Sequence, residues 1–333
     1  MNLTGSILAT LAYHDIFDYP LTQEEIHRFL ITKKATVGQV SATLRNLVKF
    51  KKIGERRGFF FLRGRVHIIA TRQKRQKYSK LKLKRSALYA NLLKLIPTIK
   101  LVAISGALAM ENSSKDDDID FVIITSPHLL WTTRFLANLL LWPFKRSPLL
   151  NTSKVADSPN EALAKLRWTP SRWPLRKSVA DRACLNLFID SQELKIAPQN
   201  LYLAHEICQM KPIWDRNQTY SQFIKTNSWT LKFLPNWTSA IPLRHPRPSL
   251  PNHSLTTSLS HPREGEDLKS KNKSIVSGQL SIVERILRSF QLWYMRSKIT
   301  TERIGDTQLF FHPQNREKWV LSEYQQRLKK LPD

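Results

Sequence analysis

A chain of 333 residues is long enough for two or three domains, and 53 Lys and Arg against 26 Asp and Glu leave a formal net charge of +27. A surplus of that size favours an anionic partner, nucleic acid or a nucleotide, over a neutral one. Two cysteines, Cys184 and Cys208, exclude a disulfide framework or a cysteine-based metal cluster. The opening MNLTGSILATLAYHDIFDYP lacks the basic start and small-residue cleavage site of a secretory signal, so the expected compartment is the cytoplasm.

In chain order, residues 4 to 14 are expected to form a helix with Ile7, Leu8, Leu11 and Ala12 on one face. Pro20 stops it, and Thr22 with Glu25 three residues on offers a capping box to a second helix. A third is expected from Thr36, with Val37, Val40, Leu44, Leu47 and Val48 as its apolar stripe. In KKIGERRGFFFLRGR, Gly54 and Gly58 flank a charged tip and Phe59 to Phe61 read as a strand. Three short helices followed by a hairpin resemble a winged helix-turn-helix domain over residues 1–72. The resemblance implies that the third helix is a recognition helix. Gln39, Ser41, Arg45 and Lys49 are then its nucleic-acid-facing residues, and Arg56 and Arg57 lie on the wing. Modules of this shape also dock proteins, and the sequence leaves both roles open.

Residues 51 to 86 contain a single acid, Glu55, among many Lys and Arg. A basic connecting helix is expected over 73–94, suited to phosphate contact or to plain solvation. A core of alternating strands and helices follows over 95–195, with IKLVAIS and ACLNLFI as strands and residues 151–179 as a loop or insertion. LLWTTRFLANLLLWPF, 129 to 144, is broken by Arg134 and Asn138 and falls short of the roughly 18 clean residues of a spanning helix. A buried helix is expected there, with contact to a membrane surface as the alternative, and no stable membrane insertion. Residues 196–240 carry a helical pattern. Residues 241–276, rich in Pro, Ser and His, are expected to be disordered, and His245, His253 and His261 lack ligand spacing. Two further helices are expected over 277–333. The fold class is therefore α+β and multidomain, with a small mixed sheet at its centre.

The stretch SGALAMENSSKDDDIDFVIIT, 105 to 125, places four aspartates within five positions at the mouth of an apolar strand. Gly106 permits a tight turn out of the preceding strand. Alternate residues of a strand share a face, so Asp118 and Asp120 point together while Ile119 and Phe121 point into the core. Two adjacent carboxylates repel, and a divalent cation relieves that repulsion.

A strand, a glycine turn, about ten residues and then Asp-x-Asp on a hydrophobic strand resemble the nucleotidyltransferase superfamily typified by DNA polymerase beta. With the winged-helix-like segment ahead, the arrangement is similar to bacterial nucleotidyltransferase-like proteins. The resemblance implies Mg2+ or Mn2+ as cofactor and a nucleoside triphosphate as substrate, with a nucleoside monophosphate passed to an acceptor hydroxyl. It makes Asp118 and Asp120 the metal ligands and catalytic pair, and Gly106 the phosphate-turn glycine. Ser105, Ala107 and Asn112 become nucleotide-binding candidates, with plain loop hydrogen bonding as the alternative for Asn112. Arg134, a single Arg that breaks an apolar helix, is a candidate phosphate clamp, and snorkelling to solvent explains it equally well. The family's serine after the glycine is Ala107 here. Its third carboxylate falls near Asn186, or at Asp190 at the end of the same strand, a position that equally suits a cap or turn residue. The competing expectation is a catalytically degenerate fold that binds DNA (or tRNA), or senses a nucleotide, as a regulator.

Overall fold

The computed structural model describes residues 1–144, 182–239, 282–296, 303–311 and 314–331. The expected loop at 151–179 and the expected disordered tract at 241–276 lie outside the described residues. The architecture is α+β, built around a mixed six-stranded sheet.

α1 (Leu3–Asp15) is capped by the Asn2 side chain. α2 (Gln23–Arg28) and α3 (Val37–Lys49) both begin with reciprocal capping boxes, Thr22 with Glu25 and Thr36 with Gln39. The hairpin of β1 (Ile53–Arg56) and β2 (Phe59–Leu62) turns through left-handed Arg57 and Gly58. Val40, Leu44 and Leu47 form the buried stripe of α3, whereas Val37, in the first turn, is exposed. α1 is buried on every side from Ser6 to Asp15 rather than along one face. Ile7, Leu8 and Leu11 pack with α2 and α3. Ala9, Ala12 and Tyr13 join a second core with the sheet residues Leu101, Ala103, Val122 and Ile124. The first helix is thus shared between the N-terminal helices and the sheet.

The basic run and the helix after it are one element, α4 (Ile68–Leu93), with no acid along its length. Its inner side is not solvated. Arg72 is buried, bonds Glu25 at 2.7 and 2.8 Å, donates to the Pro20 carbonyl and stacks on Tyr19 and Phe59. Arg75 donates to the Phe17 carbonyl at 2.8 Å.

The sheet runs β6-β3-β4-β5-β8-β7, from β3 (Ile99–Ile104), β4 (Ile119–Thr125), β5 (Ala183–Asp190), β6 (Lys211–Asp215), β7 (Arg303–Ile304) and β8 (Gln308–Phe310). Only β4 and β5 are parallel. The helices between and after them are α5 (Gly106–Ala109), α6 (Leu130–Leu140), α7 (Leu201–Gln209), α8 (Thr219–Thr226), α9 (282–295) and α10 (Gln314–Lys329). Two expectations are corrected. The helical pattern over 196–240 is interrupted by edge strand β6, whose Pro212 is tolerated because an edge position can spare an amide donor. The stretch between the two C-terminal helices contributes β7 and β8, which extend the sheet beyond β5.

Glu25 accepts from the Thr22 backbone N–H, the Tyr19 hydroxyl and Arg72, so a single ion pair ties α2, the α1–α2 loop and α4. Burial alone pushes the Glu25 carboxyl up, but Arg72's hydrogen bonds and charge hold it below the usual glutamate range. Arg72→Ala leaves this carboxylate part-buried and unpaired and should cost about 3 kcal/mol in urea denaturation at neutral pH. The loss should shrink as the pH falls and Glu25 protonates.

Candidate functional site

β4 enters the sheet with Ile119, Phe121 and Ile123 facing one core and Val122 and Ile124 facing the other. Asp120 shares the second face, at the end where that core opens into a cavity of about 430 Å³. Asp118, Asp120, Gly106, Ala107, Asn112 and Asn186 all border this cavity. Gly106 has φ +63°, and a Cβ there would lie 3.4 Å from Asp120 Oδ2. The turn out of β3 therefore runs directly over the carboxylate, and glycine suits both the conformation and the approach. The Ser105 amide donates to the Asp120 carbonyl at 3.2 Å.

Burial, and then the charge of Asp118, push the Asp120 carboxyl up to about 7; Arg316 and a hydrogen bond from Asn186 Nδ2 to Oδ1 pull the other way. The acidic turn has an internal counter-charge. Lys82, on the inner side of α4, is 1% exposed and donates to the Asp117 carbonyl. Its burial lowers its proton affinity, against the attraction of Asp117, Asp118 and Asp116. Asp117 closes the loop, accepting from the Ser114 amide and hydroxyl at 2.7 Å each. Part of the compensation sought in a cation is thus supplied by the chain.

Other sequence candidates fall elsewhere. Opposite the pair Phe121 and Val122, β5 inserts an extra residue, so Asn186 and Leu187 both turn toward the cavity side. That bulge reverses the alternation beyond it. Asp190 consequently faces the opposite side of the sheet, and it pairs with Thr125, about 17 Å along the strand from the level of Asp120. There it accepts from the His128 and Gln192 amides at 2.7 and 2.9 Å, as a turn cap. Arg134 is also removed from the cavity: it stacks on Phe311 at 4.6 Å and bonds Gln291 and Met295, and burial lowers its guanidinium to about 10. Asn112 is committed to the Phe17 carbonyl at 2.9 Å and to Arg75. Ser105 borders a neighbouring apolar cavity of about 310 Å³ instead.

The N-terminal candidates divide as well. Arg45, Lys49, Arg56 and Arg57 are exposed; Gln39 is exposed but spends its side chain capping α3, and Ser41 is half-buried and accepts from Arg45 at 3.0 Å.

Several cavity residues had no signal in the sequence. Tyr13, His14, Phe17 and Tyr19 bring α1 and its following loop to one wall, Tyr202 and Glu206 come from α7, and Arg316 from α10. Burial lowers His14 to about 4, so its ring is neutral at physiological pH. Among the described residues, no group of three His, Cys, Asp or Glu side chains could hold a metal, so any cation here rests on the two aspartates and on ligand oxygens. Comparison with protein-family models, curated proteins and solved structures gave no significant match in any of the three.

A carboxyl with raised proton affinity costs the fold nothing below about pH 4, where it is protonated folded or unfolded, and its full cost appears above about pH 7. In the absence of divalent cations, Asp120→Asn should therefore be more stable than the unchanged protein by about 4 kcal/mol above pH 7, and close to it near pH 4. Urea midpoints across that range measure the difference.

Proposed function

We propose that the cavity is the active site of a metal-dependent nucleotidyltransferase. Such an enzyme moves a nucleoside monophosphate from a nucleoside triphosphate to an acceptor hydroxyl. The observation that carries this reading is the meeting of Asp118, Asp120 and the left-handed Gly106 turn in one cavity.

Two carboxylates, one raised by burial and by the other's charge, are the hard-oxygen donor set that Mg2+ or Mn2+ takes, with phosphate and water completing the shell. Held by these residues, a cation would neutralise phosphate charge and would make the acceptor hydroxyl more acidic. The chain's own groups do the rest. Gly106 lets a phosphate approach the backbone beside Asp120, which a side chain would obstruct. Arg316 adds positive charge at the cavity wall. Asn186 fixes Oδ1 of Asp120, so that Oδ2 receives the acceptor's proton. The acceptor oxygen bonds the α-phosphorus as the bond from that phosphorus to pyrophosphate breaks. The winged-helix-like N-terminal segment contributes α1 to the cavity and presents Arg45, Lys49, Arg56 and Arg57 to solvent, a basic surface suited to DNA or tRNA.

One observation favours a second reading. Asn186 stands where a third carboxylate belongs and is hydrogen-bonded to Asp120, as suits a degenerate fold that senses a nucleotide or regulates DNA.

The test is transfer of label from each α-labelled ribonucleoside triphosphate to nucleic acid, protein or small-molecule acceptors. Label should move in the presence of Mg2+ or Mn2+, and Asp118→Asn with Asp120→Asn should abolish transfer; transfer that persists in the double variant would place the chemistry elsewhere. On the regulatory reading no label moves. Arg45→Ala with Lys49→Ala then weakens DNA binding and lowers the slope of log affinity against log salt by about 2.

A further inference from the structure

The cavity opens on one face of the sheet. The other face is covered by α4, α6 and α9, whose inner side chains pack on Ile119, Phe121, Ile123 and Phe188. The outer surface of these three helices carries large apolar side chains among its cations. Leu81 and Leu88 on α4 are 61% and 54% exposed. Leu139 of α6 and Trp142 just after it are 62% and 72% exposed, and Ile286 and Trp293 on α9 are 62% and 71% exposed. Leu81 and Leu88, and Ile286 and Trp293, stand seven residues apart, two turns on one helix face. Most of the large apolar side chains exposed among the described residues belong to these three helices or the residues just after them. Large apolar side chains concentrated on one group of helices are what an interaction surface exposes.

The charge beside it identifies the occupant. α4 and α6 contain no acid, and Lys77, Lys80 and Lys84 flank the exposed leucines of α4. On α9, Glu284 turns inward to the amides of Trp131 and Thr132, and nearby Asp306 is paired with Arg288 at 2.6 Å. A second copy docked on this face would set the same lysine rows against each other. Exposed leucines between lysines on α4, with Ile286 and Trp293 beside the arginines of α9, instead match a bilayer surface bearing anionic headgroups, where apolar insertion and charge attraction add. No helix among the described residues is long and apolar enough to cross a membrane, so the contact is adsorption.

We propose that the α4–α6–α9 face docks this protein on an anionic membrane surface, leaving the cavity on the far side of the sheet. The test is sedimentation of the full-length chain with vesicles of phosphatidylcholine alone or with about a third phosphatidylglycerol. Binding should require the anionic lipid, weaken with salt and blue-shift the tryptophan emission. Trp293→Glu with Ile286→Glu should lower binding at least tenfold with the thermal midpoint unchanged, and Lys77→Glu with Lys84→Glu should remove most of the anionic-lipid preference. Three results overturn the proposal: no binding to either vesicle, undiminished binding by the Trp293 and Ile286 double variant, or a lipid-free dimer that this variant dissociates.

Discussion

One constraint organises the site: Asp120 occupies a core-facing position at the start of an otherwise apolar strand, two residues from another aspartate. Strand alternation places its neighbours Val122 and Ile124 in a packed core, so Asp120 stands where that core gives way to a cavity. Burial raises its proton affinity, and Asp118 raises it further. Folding tolerates the arrangement because Asn186 supports one carboxylate oxygen and Lys82 anchors the loop that carries the other aspartates. The remaining electrostatic strain stays in the cavity, where a cation and a phosphate chain would meet it.

The surroundings are built to hold that position. α1 is buried all round and serves two cores, so the same helix that packs α2 and α3 also supplies a cavity wall. α4 fixes the other side: Arg72 ties it to α2, and Lys82, ten residues on, reaches the acidic turn. The basic run thus has two roles on two faces. Its inner cations neutralise carboxylates and cap carbonyls, and its outer ones remain in solvent beside exposed leucines.

Local signals were legible in the sequence. The capping box at Thr22, the hairpin around Arg57 and Gly58, the Gly106 turn and the alternation through Asp118 and Asp120 all depend on neighbours within a few residues. What depends on pairing was not. The bulge at Asn186 exists only in the register of β5 against β4, and by reversing the alternation it turns Asp190 away from the cavity and leaves it the turn-cap role that a strand-end aspartate suggests. Edge strand β6 was hidden by a proline that helix and interior strand alike would reject. Arg134 looked free to reach a phosphate because its partners, Gln291 and Phe311, lie far along the chain. Arg316 and the aromatic wall of α1 reach the cavity by tertiary packing alone.

On the proposed function, Asp118 and Asp120 form, with a triphosphate, a shared site for a divalent cation. The most direct measurement is electron paramagnetic resonance of Mn2+ titrated with the protein and a non-hydrolysable nucleoside triphosphate. The signal of free Mn2+ and of the Mn2+–nucleotide complex should be replaced by an immobilised one at one-to-one protein, and Asp120→Asn should prevent this. A spectrum unchanged by the protein, or changed equally by Asp120→Asn, would contradict that function.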